Sequence, residues 1–471
     1  MKITTRALCT FVLSVSAFTH AADTASGNWP AWRGPLANGT SPDAQPPAEW
    51  SDTKNVKWKV KLPGQGSATP AVWGEKVFIL TAVELAKPAE PKPAEPKPVE
   101  PVVVPNSETN SVGSNTNASG DARRRRGGPG GGRGSEKPTN KVQFTVMCLD
   151  RATGKTLWQK IAREEVPHEG HHQDHGYASA SPITDGKVVL AYFGSRGLHC
   201  FGMEGNLKWS KDFGQMKTRG TFGEGASPAL HGDVVVVNWD HEGDDFIAAL
   251  DKNTGRELWR TPRSEDSSWG TPLIVDFKGQ QQVIVGATMK ARSYDLATGK
   301  QIWECGGQTA NMIPTSVADA DTVYVVSGFK GAAVQAISLG RTGDLTGTDA
   351  VRWSHDKNAP YVPSPVLAGN RLYFLANRSA ALSCFDTRTG KALIDAAALP
   401  GILNAYASPV ASKDRVYVLG REGKCVVLKQ SDTLEIVATN TISEGTDATM
   451  AIAGNELFLR GKESLYCISE K

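Results

Sequence analysis

Two short segments of this 471-residue chain concentrate side chains that could carry chemistry. The first is segment 167–176, Pro-His-Glu-Gly-His-His-Gln-Asp-His-Gly, whose imidazoles and carboxylates are ligand types that bind zinc or copper. The candidate metal ligands are His168, His171, His172 and His175. The spacing matches no established metal motif, so an exposed polar loop or an anchor for the N-terminal segment are the alternative interpretations.

The second segment is the acidic run 238–245, Asn-Trp-Asp-His-Glu-Gly-Asp-Asp. Its carboxylates are the oxygen ligands that Ca²⁺ prefers, and Asp240 or His241 is a candidate catalytic base. Comparable loops in neighbouring repeats carry further polar and aromatic side chains, and we expect these loops to frame one pocket. The candidate cofactor-binding residues are Arg219, Glu224, Asp240, Glu242 and Trp269. The alternative interpretation is a charged hairpin turn.

A repeated unit must position both segments. The phrase Asp-x-x-Thr-Gly-x-x-Leu/Ile-Trp occurs at 150–158, 251–259 and 295–303, and a copy at 386–394 lacks only the tryptophan. Glycine accepts a positive φ, so each Thr-Gly pair predicts a tight turn between strands. We expect the tryptophans of the outer strands to pack between neighbouring units; they are Trp58, Trp158, Trp209, Trp259, Trp303 and Trp353.

A second phrase, a small residue followed by Ser/Thr-Pro and a β-branched run, fixes the number of units. Six copies begin at Ala68, Ala180, Ala226, Gly270, Pro363 and Ala407, and degenerate copies begin at Pro314 and Ala448. Short apolar runs of period two predict strands, and a period of 40–50 residues is typical of propellers and solenoids. The sequence therefore predicts an all-β, eight-bladed β-propeller of four-stranded antiparallel blades. Segment 55–61 resembles an isolated outer strand, so we expect it to complete the last blade and close the ring.

The remainder of the chain predicts an exported protein. Residues 1–21 read as a signal peptide, residues 22–50 as a Trp/Pro/Gly-rich lead-in and residues 51–471 as the propeller. Residues 84–140 interrupt the first blade with Pro-rich, Ser/Asn/Gly-rich and Arg/Gly-rich stretches, whose composition predicts a disordered insertion. No other segment is long and apolar enough to cross a bilayer, and the net charge of +3 gives no support for nucleic-acid binding.

The cysteines are expected to be buried free thiols. Cys148, Cys200, Cys384 and Cys467 occupy equivalent places in different repeats, so they should lie too far apart for disulfides, although export would permit them.

The repeat phrase resembles that of the pyrroloquinoline-quinone (PQQ)-like propellers over essentially all of residues 51–471. This family includes quinoprotein dehydrogenases, which bind PQQ and Ca²⁺ inside an eight-bladed ring. It also includes non-catalytic relatives, such as the barrel-assembly lipoprotein of bacterial outer membranes. The Trp-x-x-Trp-Arg-Gly-Pro segment at 29–35 is similar to the start of exported, functionally uncharacterised bacterial propellers. The adjacent cysteines that form a disulfide over the quinone in the dehydrogenases have no counterpart here.

We expect a monomeric binding or scaffolding module whose partners are other exported or envelope proteins. A PQQ- and calcium-dependent oxidoreductase and a metal-binding periplasmic protein are the alternatives.

Overall fold

A computed structural model describes residues 27–86, 137–376 and 380–470. Its strands form eight antiparallel sheets, which confirms the predicted all-β, eight-bladed propeller. The predicted signal peptide and residues 87–136 of the predicted insertion lie outside the described residues. Within the described ranges, no helix has the length and hydrophobicity needed to span a membrane.

Blades are numbered in chain order, and the strands of each run from the inner edge outward. The strands of blades 1 and 2 are β2 (Ala71–Trp73), β3 (Lys76–Glu84), β4 (Val142–Asp150) and β5 (Thr156–Glu165), then β6 (Ile183–Thr184), β7 (Val188–Tyr192), β8 (Leu198–Gly202) and β9 (Leu207–Lys211). Those of blades 3 and 4 are β10 (Ala229–His231), β11 (Val234–Trp239), β12 (Phe246–Asp251) and β13 (Glu257–Pro262), then β14 (Leu273–Phe277), β15 (Gln280–Gly286), β16 (Lys290–Asp295) and β17 (Gln301–Gly306).

The second half of the ring repeats this order. The strands of blades 5 and 6 are β18 (Val317–Ala318), β19 (Thr322–Ser327), β20 (Ala333–Ser338) and β22 (Val351–His355), then β23 (Val366–Ala368), β24 (Arg371–Ala376), β25 (Ala381–Asp386) and β26 (Ala392–Ala397). Those of blades 7 and 8 are β27 (Val410–Ala411), β28 (Arg415–Leu419), β29 (Lys424–Lys429) and β30 (Ile436–Thr441), then β31 (Ala451–Ala453), β32 (Glu456–Arg460), β33 (Ser464–Ile468) and β1 (Val56–Lys61). Short 3₁₀ turns occur at Gly194–Arg196 and Arg219–Thr221.

The ring closes as predicted. Strand β1 pairs antiparallel with β33, with Trp58 opposite Cys467 and Lys61 opposite Ser464, so the two ends of the chain share blade 8. One departure from the predicted four strands is β21 (Gly343–Asp344), which lies in the long connection of blade 5 and pairs parallel with β17 at the edge of blade 4. That outer edge is therefore covered.

The tryptophans join neighbouring blades, as predicted. The Trp209 indole N–H donates to the Lys252 carbonyl at 2.8 Å, and the ring packs over Gly255, which has a φ of 71°. A side chain at Gly255 would collide with that indole, so the turn needs glycine for space as well as for φ. Equivalent bonds join Trp58 to Arg151, Trp158 to Met203, Trp259 to Leu296 and Trp353 to Thr387. Trp303 differs and donates to Gln282 of its own blade.

The Ser/Thr-Pro phrase forms a belt of hydrogen bonds around the ring. The Ser181 N–H donates to the Ser227 hydroxyl at 2.9 Å, and the Ser227 N–H donates to the Thr271 hydroxyl at 3.0 Å. The same bond links every consecutive pair of blades from blade 1 to blade 8, through Thr69, Ser181, Ser227, Thr271, Thr315, Ser364, Ser408 and Thr449. The degenerate copies keep the hydroxyl, which explains why only their flanking residues vary. The Thr69 hydroxyl, at the seam between blades 8 and 1, has no partner.

The cysteines of the described residues are buried and free, as predicted for Cys148, Cys200, Cys384 and Cys467. Burial raises the pKa of the Cys200 thiol to about 12, so this side chain acts as a small apolar residue.

The two faces of the ring differ. We call the side that carries the connections between blades and between second and third strands the loop face, and the opposite side the hairpin face. On the loop face, β3 and β4 pair up to Glu84, the first residue of the predicted insertion 84–140, which lies opposite Val142. On the hairpin face, lead-in residues 27–50 cross the centre of the ring. There the Arg33 guanidinium is 3% exposed and donates to the Pro365 carbonyl at 2.5 Å. Burial lowers the pKa of Arg33 to about 9.

Candidate functional site

The loop face of blades 2 to 4 brings together three of the predicted cofactor-binding residues. Glu224, Asp240 and Trp269 line one small cavity of about 30 Å³, although they come from three different connections. The Trp269 indole N–H donates to the Gly223 carbonyl at 2.7 Å, so this aromatic wall is held by the loop that carries Glu224.

Glu224 is held by an arginine and a tight turn. Its carboxylate accepts from the Ser195 N–H at 2.5 Å, the Ser195 hydroxyl at 2.6 Å and Arg196 Nη1 at 3.0 Å. Gly194 begins this turn with a φ of 57°, and a Cβ there would collide with the Glu224 carboxylate. Burial raises the pKa of Glu224 despite the opposing charge of Arg196. We call His168, Ser195, Arg196 and Glu224 the Glu224 cluster.

Asp240 forms the second cluster, in which its carboxylate is saturated with donors. Arg263 donates to both oxygens, at 2.7 and 3.0 Å, and the Ser268 hydroxyl and the Asn238 amide add bonds of 2.6 and 3.1 Å. The side chains of Arg263 and Asp240 are 1% and 0% exposed. Burial alone would lower the pKa of Arg263, but the charges of Asp240 and Tyr294 and the hydrogen bonds to them together outweigh burial and raise that pKa. We call Asn238, Asp240, Arg263 and Ser268 the Asp240 cluster.

The other predicted residues of this segment hold the loops from outside the cavity. Glu242 Oε1 accepts from the Ser267 N–H and hydroxyl at 3.1 and 2.9 Å, and the Arg219 N–H donates to the same hydroxyl at 2.9 Å. The ring of His241 accepts from the Lys217 N–H at 3.1 Å and makes no hydrogen bond to Asp240. The backbone N–H of His241 donates to Asp245, whose pKa burial raises to about 6.

The four predicted metal-binding histidines do not converge. His168 donates from Nε2 to the Met216 carbonyl at 2.6 Å, and its Nδ1 accepts from Arg196 at 3.2 Å. His171 donates to the His172 carbonyl at 2.8 Å, and the His172 ring lies against Phe222. His175 bonds the Ser179 hydroxyl at 2.8 Å through Nδ1, and burial lowers its pKa to about 4.

A different set of potential ligands does lie close together. Ligand atoms of His168, Glu169 and Glu224 lie within 4.8 Å of one another, the one such grouping within residues 27–86, 137–376 and 380–470. However, Arg196 bridges His168 and Glu224, and Glu169 accepts from the Thr218 hydroxyl at 2.6 Å. The guanidinium therefore supplies the positive charge that a metal ion would supply.

The histidine segment also spans part of the loop face. The Asp174 carboxylate accepts from Arg421 of blade 7 at 3.0 Å and from the Tyr406 hydroxyl at 3.2 Å. Burial opposes ionisation of Asp174, but these bonds prevail and its pKa is lowered. The segment is thus tied to loops that lie far from it along the chain.

Two buried polar atoms beside the cavity lack protein partners. The Tyr192 hydroxyl and Asn238 Oδ1 belong to residues that are each 2% exposed and line the cavity. A polar space of this size holds one or two water molecules, which would satisfy both atoms.

Apolar side chains lie on loop-face connections from blade 4 to the start of blade 7. Met289, which is 57% exposed and has a φ of 69°, donates its N–H to the Thr309 carbonyl at 3.3 Å. The Thr309 hydroxyl accepts from the Phe329 N–H at 3.2 Å, and the Phe329 ring stacks on Tyr361 with centroids 5.1 Å apart. On the next connection, Leu403 is 75% exposed. We call Met289, Phe329, Tyr361 and Leu403 the apolar rim.

Several of these residues escape sequence reasoning. Ser195 and Arg196 sit in the connection between the second and third strands of blade 2, the place that the acidic run 238–245 occupies in blade 3. Alignment of the repeats could therefore have indicated Ser195 and Arg196 as candidate residues. Nothing in the sequence marks Met289 or Leu403, because single apolar residues in loops carry no periodicity.

Fold and site together define an eight-bladed PQQ-like propeller with an internally bonded polar network on its loop face. The family described as outer membrane protein assembly factor BamB matches residues 143–395, more than half of the chain, and the chain belongs to this family. No curated protein matches it.

Solved structures resemble the chain at low sequence identity, and two quinohemoprotein alcohol dehydrogenases share its fold. The quinohemoprotein alcohol dehydrogenase from Comamonas testosteroni is 11% identical, with a TM-score of 0.59 over 96% of this chain and 82% of that one. The quinohemoprotein alcohol dehydrogenase ADHIIG from Pseudomonas putida HK5 is 11% identical, with a TM-score of 0.50 over 94% and 80%. BamB from Moraxella catarrhalis is 14% identical, with a TM-score of 0.48 over 69% and 89%.

The sequence raises PQQ with Ca²⁺ as a candidate cofactor, and the cavity lined by Glu224, Asp240 and Trp269 does not fit it. The cavity of about 30 Å³ is far below the roughly 300 Å³ at which small-molecule sites begin. The Asp240 carboxylate offers about four lone-pair sites, and four protein donors already use them. This cavity therefore offers neither space for a quinone nor a free Asp240 oxygen for calcium.

Proposed function

We propose that this protein is an exported, non-catalytic binding module that docks a partner protein on its loop face. The observation that carries the proposal is the apolar rim, in which Met289 and Leu403 are 57% and 75% exposed on loops of nearby blades. Met and aromatic residues are enriched in the cores of protein interfaces, and exposed apolar patches mark binding sites. The family likeness to an assembly factor agrees with protein partners.

The rim is held in place before any partner arrives. Met289 keeps a φ of 69°, a left-handed conformation that non-glycine residues rarely adopt, and its loop is fixed by the bond to Thr309. The Glu224 and Asp240 clusters fix the neighbouring loops by buried ion pairs at 3.0 and 2.7 Å. We assign these clusters to positioning of the loop face, since preorganised loops lose less entropy on binding.

Export follows from the charged, apolar and small-residue pattern of residues 1–21, which is typical of a signal peptide. The same interpretation places the partners among exported or envelope proteins. Fractionation of the producing cells, with sequencing of the mature N-terminus, tests this step. Mature protein that begins near residue 22 outside the cytoplasm is the expected result.

Site-directed photocrosslinking in the producing cells tests the docking face. A benzophenone amino acid at position 289 or 403 should give discrete adducts, and the same probe at position 207 should not. Leu207 is a matched control, since it is 56% exposed on the outer strand of blade 2. Adducts at 207 alone, or at no position, would overturn the proposal.

The quinoprotein alternative has its own test. The purified protein, mixed with PQQ and Ca²⁺, should show no bound quinone spectrum after gel filtration and no dye reduction with alcohols or sugars. A stoichiometric bound quinone would restore the oxidoreductase interpretation.

A further inference from the structure

The hairpin face carries a groove of about 650 Å³ that neither candidate cluster uses. One wall is lead-in segment 30–37, with Trp32 and a Leu36 side chain that is 53% exposed. The opposite wall is formed by the inner strands of blades 3 and 4, which contribute Leu230 and Ile274. This volume lies in the range of roughly 300–1,000 Å³ that binding sites occupy.

The lead-in already pairs with inner strands elsewhere in the ring. Trp29 exchanges two backbone bonds with Val72 of blade 1, at 2.9 and 2.8 Å. Three further backbone N–H groups, from blades 2, 6 and 7, donate to carbonyls of the lead-in. These bonds run from Thr184 to Pro30, from Leu367 to Asn38 and from Ala411 to Gly39. The innermost edges of this propeller therefore accept an extended chain.

The inner strands of blades 3 and 4 have no such partner. Across the described residues, no backbone hydrogen bond joins the lead-in to β10 or β14. These two strands line the groove. Their free edges are therefore equivalent to the edges in blades 1, 2, 6 and 7 that bond the lead-in. Free strand edges bind extended peptides through main-chain bonds, while adjacent pockets select side chains.

The buried charge of Lys252 at the groove is already balanced. The Lys252 ammonium, 4% exposed, contacts Asp185 and Asp233 at 2.7 Å each and donates to the Gly232 carbonyl at 3.0 Å. Its three donors are used, so Lys252 is not free to pair with a ligand carboxylate, although the exposed Lys187 also lines the groove.

We infer that the groove binds an extended segment of a partner polypeptide, which pairs with β10 and β14 and places an apolar side chain against Leu36. The inference rests on the proposed function, partner binding, and adds a second contact on the opposite face of the ring.

The test selects ligands on the full chain. A displayed library of random heptapeptides is panned on immobilised protein, and the strongest sequence is synthesised with a fluorescent label. Fluorescence anisotropy then measures its Kd against Leu36→Asp, Leu230→Lys, Leu207→Asp and Leu403→Asp. Circular dichroism melts confirm that each variant is folded, and Leu36→Asp keeps the test valid if Leu230→Lys fails to fold, because Leu36 is exposed.

The expected result is a Kd at least tenfold weaker for the two groove variants and unchanged for Leu207→Asp and Leu403→Asp. N-methylation of alternate residues of the peptide should also abolish binding, because it removes main-chain donors. Binding that is lost only with Leu403→Asp would overturn the groove and support the loop face. A library that yields no ligand, or a ligand indifferent to groove variants or to N-methylation, would overturn the inference, while loop-face crosslinks would still support the proposed function.

Discussion

At the scale of single residues, the chemistry-bearing side chains are mostly satisfied within the protein. Asp240 and Glu224 each pair with a buried arginine, at 2.7 and 3.0 Å. A buried pair contributes little net stability, but loss of one partner leaves an uncompensated charge. These residues are therefore expected to affect folding rather than turnover.

Asp240→Ala tests this point. The substitution leaves Arg263 buried and unpaired, so the free energy of unfolding should fall by about 3–5 kcal/mol. Glu242→Ala is the matched control, because Glu242 belongs to the same segment but is exposed, and it should cost about 1 kcal/mol or less. Urea denaturation measures both variants. Equal losses would show that Asp240 is no more structural than its exposed neighbour.

His175 makes stability depend on pH. Burial, reinforced by His171, lowers the pKa of His175 from an ordinary 6.5 to about 4. The unfolded chain therefore binds a proton below pH 6.5 that the native protein resists, and stability is lost as the pH falls from about 6.5 toward 4.

Replacement of this histidine should flatten that loss. Between pH 7 and pH 4, the free energy of unfolding of His175→Gln is expected to fall by about 2 kcal/mol less than that of the unmodified protein. His231→Gln, at an exposed position on the hairpin face, should follow the unmodified protein. Thermal melts across this range measure the difference, and parallel curves for all three proteins would contradict it.

The single residues also mark the limit of sequence reasoning. The acidic run at 238–245 was recognisable, but its partner Arg263 lies in another connection and carries no motif. The four histidines were grouped by proximity in sequence, while the structure pairs one with Arg196 and another with Ser179. Proximity along a loop does not fix the direction of side chains, so a metal site built on it stays a prediction.

At the scale of elements, the repeat phrases report contacts between blades. The Thr-Gly turn exists to receive a tryptophan of the preceding blade, as at Gly255 and Trp209. The Ser/Thr-Pro phrase supplies the hydroxyl belt. Strand number and order were predictable because these contacts recur in most units. The strand β21 was not, because it occurs once and is only two residues long.

Removal of one hydroxyl tests the belt. Ser227→Ala leaves the buried Ser181 N–H without its acceptor, and the free energy of unfolding should fall by about 1–3 kcal/mol. Ser227→Thr should restore most of it, because threonine holds the same place at Thr271 and Thr315. Chemical denaturation compares the two. An alanine variant as stable as the threonine variant would show that the belt does not contribute to the free energy of unfolding.

At the scale of the whole molecule, closure depends on one strand from the opposite end of the chain. Strand β1 is the outer strand of blade 8, and the lead-in that precedes it fills the centre of the hairpin face. The number of blades was predictable from the eight copies of the Ser/Thr-Pro phrase, and the shared blade from the outer-strand pattern of segment 55–61. The path of the lead-in was not, because it forms isolated bridges without a strand pattern.

Deletion of residues 55–61 tests closure. Without β1, the outer edge of β33 is unpaired, so the melting temperature should fall and proteases should cleave the chain faster. A synthetic peptide of residues 55–61, added in excess, should recover part of the loss by mass action. A melt unchanged by the deletion would contradict this account of the ring.

The pairing of β3 with β4 on the loop face of blade 1 has a practical consequence. Glu84 lies opposite Val142, and beyond them the Leu85 N–H donates to the Lys141 carbonyl at 2.8 Å. Backbone pairing between the two strands therefore continues as far as Leu85 and Lys141. Closure entropy grows only slowly with length, by about 0.6 kcal/mol per doubling. This end of the hairpin is therefore a suitable insertion site. A reporter or enzyme domain whose own termini lie close together, inserted between Ala86 and Lys137, should leave the hydrogen bonds between β3 and β4 intact.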